Sequence, residues 1–288
     1  MLRRICRNLA VGLLLVLHSG GAWAQDPPTE EPEQIHWALA SLFGTGWYSI
    51  DGNRSVYVLR APMRWTLKET EFAEGERQQT GLELHVPVTV GYHQVDELGD
   101  FINADNFSTL SIMPGLEFEI PLTRDFWLRP FVLAGYGAGG TDTEDVWLLN
   151  AGIKSRYRIE QERGDWDFLG NVYWGGYREI NGEESDGLGG VLLGVERSHA
   201  FKRSNYNAHL HFSYTYLGRP LEYLEVLRDD GERKTIDDFF TVGLAFSPKS
   251  GSFDFELYRP HQLGLALEFD PEGNYFAIKF NSRSWFTR

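Results

Sequence analysis

The sequence has little cysteine and no second long apolar run. It contains one cysteine, Cys6, among 288 residues, so no disulfide can form within one chain. After residue 24 no stretch reaches 18 consecutive apolar residues, which argues against a transmembrane helix there. Basic residues are also scarce, because 27 lysines and arginines stand against 41 acidic residues and give a net charge of −14. That balance argues against nucleic acid as a partner, since nucleic-acid binding needs a basic surface.

The N-terminal segment has the three parts of an export signal. Three arginines lie within the first seven residues, an apolar run follows over 9–17, and the small-x-small sequence AWA ends at Ala24. The run is shorter than the roughly 20 residues that a membrane-spanning helix needs. We therefore expect a signal peptide over 1–24, cleaved after Ala24, with an uncleaved anchor as the alternative. Residues 25–34, rich in proline and glutamate, are expected to form a short disordered stub.

Aromatic residues make up 14% of the sequence, and the sequence contains 31 glycines. From Ile35 onward apolar and polar residues alternate with period two, as in LELHVPVTVGY over 82–92. These runs are about 10 to 14 residues long. Strands of soluble proteins average roughly 5–6 residues, whereas a tilted membrane strand needs roughly 9–11. One face of each run is apolar and the other carries charges, which is the pattern of a barrel with a lipid-facing outside and a polar lumen.

The pattern predicts an all-β fold, a single antiparallel up-and-down transmembrane β-barrel over 35–288. We expect about twelve strands, with ten or fourteen as alternatives, because single-chain bacterial barrels have even numbers. The segment 252–268 is the least regular, since it contains a proline, and it fits one bulged strand or two short ones. A soluble periplasmic β-sandwich is the alternative fold. The predicted strands are 35–48, 55–68, 80–93, 107–120, 126–139, 145–160, 166–180, 187–198, 205–217, 238–248, 252–268 and 274–286.

The connections between these strands alternate in length. If both termini are periplasmic, short turns at 121–125, 161–165 and 248–252 fall on the periplasmic side. Longer loops at 94–106 and 218–237 then fall outside the cell, as is usual for outer-membrane barrels.

Three segments carry a resemblance to a known family: 82–92, LSIMPGLEFEIPLTRDFWLRPFVLAGYG over 110–137, and YFAIKFNSRSWF over 275–286. They resemble the solitary outer-membrane autotransporter-like β-domains, which are barrels without a passenger domain. The resemblance implies a Gram-negative, porin-like outer-membrane protein that is inserted by the barrel assembly machinery. Only about ten residues separate the expected signal from the first strand, so the resemblance implies no exported passenger. Thr287 and Arg288 follow the closing aromatic residue, where such barrels usually end.

Register arguments predict one interior charge network near the periplasmic end. If the turn at 121–125 sets Ile120 opposite Phe126, Glu117 comes opposite Arg129, and the 161–165 turn sets Arg158 opposite Asp167. The network is either an ion-selective gate or a structural plug of satisfied ion pairs. The structural plug is the interpretation that we favour. Its predicted members are Glu117, Glu119, Arg129, Lys154, Arg156, Arg158 and Asp167.

The functional prediction is a non-enzymatic barrel with a structural, small gated-channel or surface-interaction role. The alternative is an outer-membrane lipid hydrolase that uses His211 and Ser213, which share one strand face. Their phase points inward, away from lipid, and no third member of a triad is evident. His85 and His93 are four rungs apart, too far to hold one metal, so we expect no metal site and no cofactor. The expected partners are outer-membrane lipid and lipopolysaccharide.

Overall fold

The structure is a computed structural model that describes residues 44–50, 54–71, 79–93, 107–139, 145–183, 185–227, 233–249, 253 and 261–281. The expected signal peptide and stub lie outside these residues. Within them, no helix is long and apolar enough to cross a membrane. The described strands are β1 Gly46–Ile50, β2 Arg54–Lys68, β3 Gly81–His93, β4 Phe107–Ile112, β5 Gly115–Pro121, β6 Phe126–Gly139, β7 Val146–Ile159, β8 Trp166–Glu179, β9 Ser185–Ala200, β10 Tyr206–Leu227, β11 Arg233–Pro248, β12 Leu263–Phe269 and β13 Tyr275–Asn281.

The strands form one closed antiparallel sheet. Apart from β4 and β5, each strand pairs with the next along the chain, and β13 pairs with β1 to close the barrel. Strands β4 and β5 lie end to end between β3 and β6, so they make a single interrupted strand. The barrel therefore has twelve strand positions around its circumference, which confirms the predicted all-β barrel. A sandwich of two packed sheets is excluded.

The interruption between β4 and β5 falls at Met113 and Pro114. Met113 N–H donates to the carbonyl of Pro87 on β3, and Ala134 N–H on β6 donates to the carbonyl of Pro114. Both neighbouring strands therefore form hydrogen bonds with the residues at the interruption. Gly135 lies against it, and a Cβ at that position would be 2.0 Å from the carbonyl oxygen of Ile112. Glycine is needed there because two backbones approach closely.

Side chains alternate between the outside and the lumen along each strand. On β7 to β10 the outward positions are large and apolar, and Leu193 is the most exposed of them at 61%. Inward positions on the same strands are buried and mostly polar, as at Asn150 and His211. Such an apolar outer wall is poorly suited to contact with water, since soluble proteins rarely expose apolar patches above a few hundred Å².

Most strand bounds match the predictions, and β6 begins and ends where the sequence indicated. One prediction was wrong: the expected outer loop at 218–237 is largely strand, because β10 runs to Leu227 and β11 starts at Arg233. Of the strand expected at 252–268, residues 252 and 254–260 lie outside the described chain, and the described strand is β12 Leu263–Phe269. Residues 35–43 and 282–286 of the first and last predicted strands also lie outside it.

We call the end of the barrel with the turns 122–125, 160–165 and 201–205 the lower end, and the opposite end the upper end. Two apolar clusters fill the upper lumen. The first joins Tyr48, Val56, Val58, Leu188, Leu217, Ile236, Tyr275 and Ala277. The second joins Met113, Leu133, Val146 and Leu148, with Phe131 and Tyr177 packed against it. The lower lumen is filled by charged side chains instead.

Candidate functional site: the ionic seal of the lower lumen

The hairpin between β5 and β6 sets the geometry of the lower lumen. Ile120 pairs with Leu128 and Glu117 with Phe131, so the predicted pairing of Ile120 with Phe126 was wrong by two residues. The turn explains the shift, because the amides of Leu122 and Thr123 both donate to the carbonyl of Phe126. A shift of two residues preserves the face of every side chain. Both carboxylates of β5 therefore still point inward, and Glu119 falls across from Arg129.

Arg129 is the centre of the resulting cluster. Its Nη1 donates to Glu117 Oε1 at 3.1 Å, and its Nη2 lies 3.1 Å from Glu119 Oε2. The same Nη2 lies 3.7 Å from Glu83 Oε1 on β3. One guanidinium thus joins three carboxylates on two strands, as its planar set of donors allows.

Two further cations complete the charge balance. Lys154, which pairs with Arg129 in the β6–β7 ladder, donates to Glu117 at 2.6 Å. Arg64 on β2 lies 3.5 Å from Glu83 and 3.8 Å from Glu117. Three carboxylates therefore face three basic side chains, which satisfies the requirement that buried charges be paired.

Four members of this cluster were not predicted from the sequence: Arg64, Thr70, Glu83 and His85. Thr70 donates to Glu119 at 2.9 Å, and His85 Nε2 lies 3.2 Å from Glu83. Glu83 and His85 lie on β3, Arg64 lies on β2, and Thr70 follows the C-terminal end of β2. The register of β3 relative to β5 depends on the long 94–106 connection. The inward phase of Glu83 and His85 was visible in the sequence, but their neighbours across the sheet were not.

A second group of charges lies next to the 160–165 turn. The predicted pairing of Arg158 with Asp167 is confirmed, and Arg158 makes two 2.8 Å hydrogen bonds to that carboxylate. Arg158 also lies 3.6 Å from Asp165. Arg156 lies 3.8 Å from Asp167 and stacks over the ring of Trp127. The seven predicted residues thus all face the lower lumen and centre on two adjacent groups.

The first group contains a constellation of metal-ligand type. Donor atoms of Glu83, His85 and Glu117 all lie within 4.8 Å of one another. Both carboxylates are already within 4.0 Å of Arg64, and Glu117 also binds Lys154. A divalent cation would have to displace these basic groups. The arrangement is therefore best suited to ion pairing, and the absence of a metal stays a prediction.

Paired polar groups also lie on the other strands of the barrel. Glu268 accepts hydrogen bonds from Thr241 at 3.1 Å, from Tyr275, and from Lys279 at 3.0 Å. On β10, His209 lies between Glu196, at 3.0 Å, and Ser247, at 2.8 Å. Strands β9 to β13 thus carry their own paired charges.

The pair His211 and Ser213 faces the lumen. Both side chains are buried, while Leu210 and Phe212 beside them are exposed on the outer wall. The His211 ring lies against Gly243 of β11, where a Cβ would be 1.9 Å from its Cε1. The lipid-facing placement that a hydrolase of this type needs is not found.

Burial decides what the cluster does to the lumen. Glu117 and Arg129 point into the interior of the barrel, yet each is only 1% exposed. Solvent therefore has almost no contact with these side chains. Exposure rises toward the lower mouth, where the side chain of Arg158 is 34% exposed. We call the first group, Arg64, Glu83, His85, Glu117, Glu119, Arg129 and Lys154, the ionic seal.

Comparison with known proteins adds little to this geometry. No protein-family model matches the chain, and no curated protein matches it either. Among solved structures, the outer membrane transporter YddB from Escherichia coli is similar over 80% of this chain, with 11% identity and a TM-score of 0.32. The chain covers 36% of that transporter. The resemblance to solitary autotransporter-like domains stays a prediction.

Proposed function

We propose that this protein is a non-enzymatic, integral outer-membrane β-barrel whose lumen is closed by the ionic seal. The apolar outer wall supports membrane insertion, and closure of the sheet gives every described strand a hydrogen-bonded neighbour on each side, as a barrel in lipid requires. The expected surroundings are outer-membrane lipid and lipopolysaccharide, reached by way of the barrel assembly machinery. The inward position of His211 and Ser213 supports a role without lipid hydrolysis.

The observation that carries the closed state is the burial of Glu117 and Arg129. A hydrated ion passing the lower lumen would have to part these two side chains from each other. Removing one partner of a buried ion pair costs about 3–5 kcal/mol. Thermal motion at rest would seldom supply that energy, so the resting barrel is a structural element and a permeability barrier.

Planar-bilayer conductance of the refolded barrel tests the proposal. The unaltered protein is expected to be silent, while a variant with Arg129→Ala and Arg156→Ala is expected to give steady currents. Arg124→Ala is the matched control, because Arg124 lies in an exposed turn of the same end. Heat-modifiable migration in electrophoresis establishes that each protein is folded. Steady conductance of the unaltered protein would contradict a closed lumen.

A gated channel is the second function that an observation favours. The Oδ1 atoms of Asn150 and Asn171 are buried in the lumen and accept no hydrogen bond from the residues that the structure describes. Such atoms are sites for ordered water, and a wet compartment above the seal would suit a channel. Brief openings of the unaltered protein under applied voltage, abolished when the seal is cross-linked by a disulfide, would favour the gate over the permanent plug.

A further inference from the structure

A groove opens on the outer wall of the barrel near its upper end. It spans the C-terminal end of β4 and strands β6, β7 and β8, is open to the surroundings, and has a volume of about 620 Å³. Its surface is almost wholly apolar. The side chains that matter for its chemistry are Ala134, Tyr136, Trp147, Leu149, Trp174 and Arg178.

Glycine creates the depression. Gly176 of β8 and Gly187 of β9 are cross-strand partners, and the indole of Trp174 lies against both. A Cβ at Gly176 would be 2.5 Å from Trp174 Cη2, and one at Gly187 would be 2.7 Å from Trp174 Cζ2. The ring is therefore held against the wall of the barrel. Ala134 keeps the adjoining β6 surface shallow.

The upper rim of the groove is aromatic and carries one cation. Tyr136 and Trp147 are cross-strand partners that meet edge to face with ring centroids 6.0 Å apart. Trp147 in turn lies opposite Arg178. The hydroxyl of Tyr136 donates a hydrogen bond to the carboxylate of Asp145. Within the part of the chain that the structure describes, the exposed Arg178 side chain makes no hydrogen bond or ion pair.

We propose that this groove binds a phosphorylated acyl lipid, with an acyl chain in the groove and the phosphate at Arg178. The inference rests on the proposed membrane location. Tryptophan and tyrosine belong at the level of lipid headgroups, and a basic side chain at that level attracts anionic lipid. The groove below supplies the apolar surface for the chain, and Arg178 has the charge and donors that phosphate takes.

The lower end provides an internal control. Arg197 stacks over Trp166 at 5.1 Å, so it repeats the pairing of arginine with tryptophan. Its Nη1, however, donates to the carbonyl of Gly164 at 2.6 Å. That arginine is already engaged by the protein. A general attraction of interfacial arginine for anionic lipid would act at both residues, whereas a specific site would act only at Arg178.

The experiment is a titration of the full chain, refolded in neutral detergent, with dimyristoyl phosphatidic acid. Native mass spectrometry counts the bound lipid, and dimyristoylglycerol and inorganic phosphate serve as probes that lack the phosphate or the chains. The variants are Arg178→Gln, Arg178→Lys, Ala134→Phe and Arg197→Gln. We expect binding of phosphatidic acid alone, weakened about fivefold by Arg178→Gln, since one basic residue at a membrane surface contributes about 1 kcal/mol. Arg178→Lys should retain most of the affinity, and Ala134→Phe should weaken binding by filling the groove.

The outcomes separate the site from its alternatives. Equal binding of dimyristoylglycerol, or binding of inorganic phosphate alone, would overturn the proposal. So would equal weakening by Arg178→Gln and Arg197→Gln, because it would show general attraction at the interface. A chain that fails to insert into vesicles would instead refute the membrane location. A chain that inserts without selective binding would refute only the lipid site.

Discussion

The two halves of the lumen are packed by different chemistry. The upper half is filled by apolar side chains such as Leu188, Ile236 and Tyr275, and the lower half by the ionic seal around Arg129. Apolar packing has no direction, so a lost side chain leaves a void but no unsatisfied group. Ionic packing is directional, and a lost partner leaves a buried charge without compensation. The two halves should therefore respond differently to substitution.

The largest effect is expected from Arg129→Ala. Among the residues that the structure describes, Glu119 would keep its hydrogen bond from the Thr70 hydroxyl, at 2.9 Å, and Glu117 would keep Lys154 and Arg64. Breaking a buried ion pair from one side typically costs about 3–5 kcal/mol, so we expect a loss of that size in the free energy of unfolding. Urea titration of the barrel in vesicles, followed by tryptophan fluorescence, measures it.

The double variant Arg129→Met with Glu119→Gln is the control for this prediction. It removes a charge of each sign, so it should be more stable than Arg129→Ala alone. A cost below about 1 kcal/mol for Arg129→Ala would show that the cluster is loosely packed and hydrated, in the range of exposed ion pairs.

Leu188→Ala is the matching change in the upper half. Leu188 is almost completely buried among Leu217, Ile236 and Tyr275, so truncation leaves a cavity. Such changes cost about 2–5 kcal/mol, and we expect about 3 kcal/mol in the same titration. Leu193→Ala, on the outer wall, should cost less because lipid chains can fill the space. Equal costs at Leu188 and Leu193 would contradict a tightly packed upper lumen.

A smaller effect is expected from Lys279→Met on β13. Glu268 would lose its 3.0 Å contact with Lys279 but keep the hydroxyl donors of Tyr275 and Thr241. Hydrogen bonds to charged groups contribute about 1.5–3 kcal/mol to stability. Because the two hydroxyl donors remain, we expect the free energy of unfolding to fall by about 1.5 kcal/mol, the lower end of that range. A loss as large as that for Arg129→Ala would show that the hydroxyl groups do not compensate for a missing cation.

The faces of the strands could be predicted from the sequence, because the period of a strand is two. The bounds of β6 and the inward position of all seven network residues follow from that alternation. The pairing of Arg158 with Asp167 also followed, because the intervening turn is short. Local sequence patterns were therefore enough to predict most strands of the barrel and the group of charges around Arg158 and Asp167.

Register across less regular connections could not be predicted. The turn at 122–125 moved the β5–β6 ladder by two residues, yet Arg129 still reaches Glu117 because long side chains bridge diagonal neighbours. Arg64 on β2 and Glu83 on β3 also join the seal, and β3 follows one long connection and precedes another. The β10–β11 ladder continues past Tyr216 through two register shifts, and no regular period-two pattern in the sequence could predict them.

The smallest effect is expected from Arg124→Ala, at the same end of the barrel as the seal. Arg124 lies 3.5 Å from Glu160, and the two side chains are 74% and 59% exposed. Water and salt screen such a pair, so the free energy of unfolding should change by less than about 0.5 kcal/mol, and the conductance should stay silent. The atoms of this pair are only slightly farther apart than those of Arg129 and Glu117. A null result at Arg124 beside a large one at Arg129 would show that burial, and not the number of charges at this end, closes the barrel.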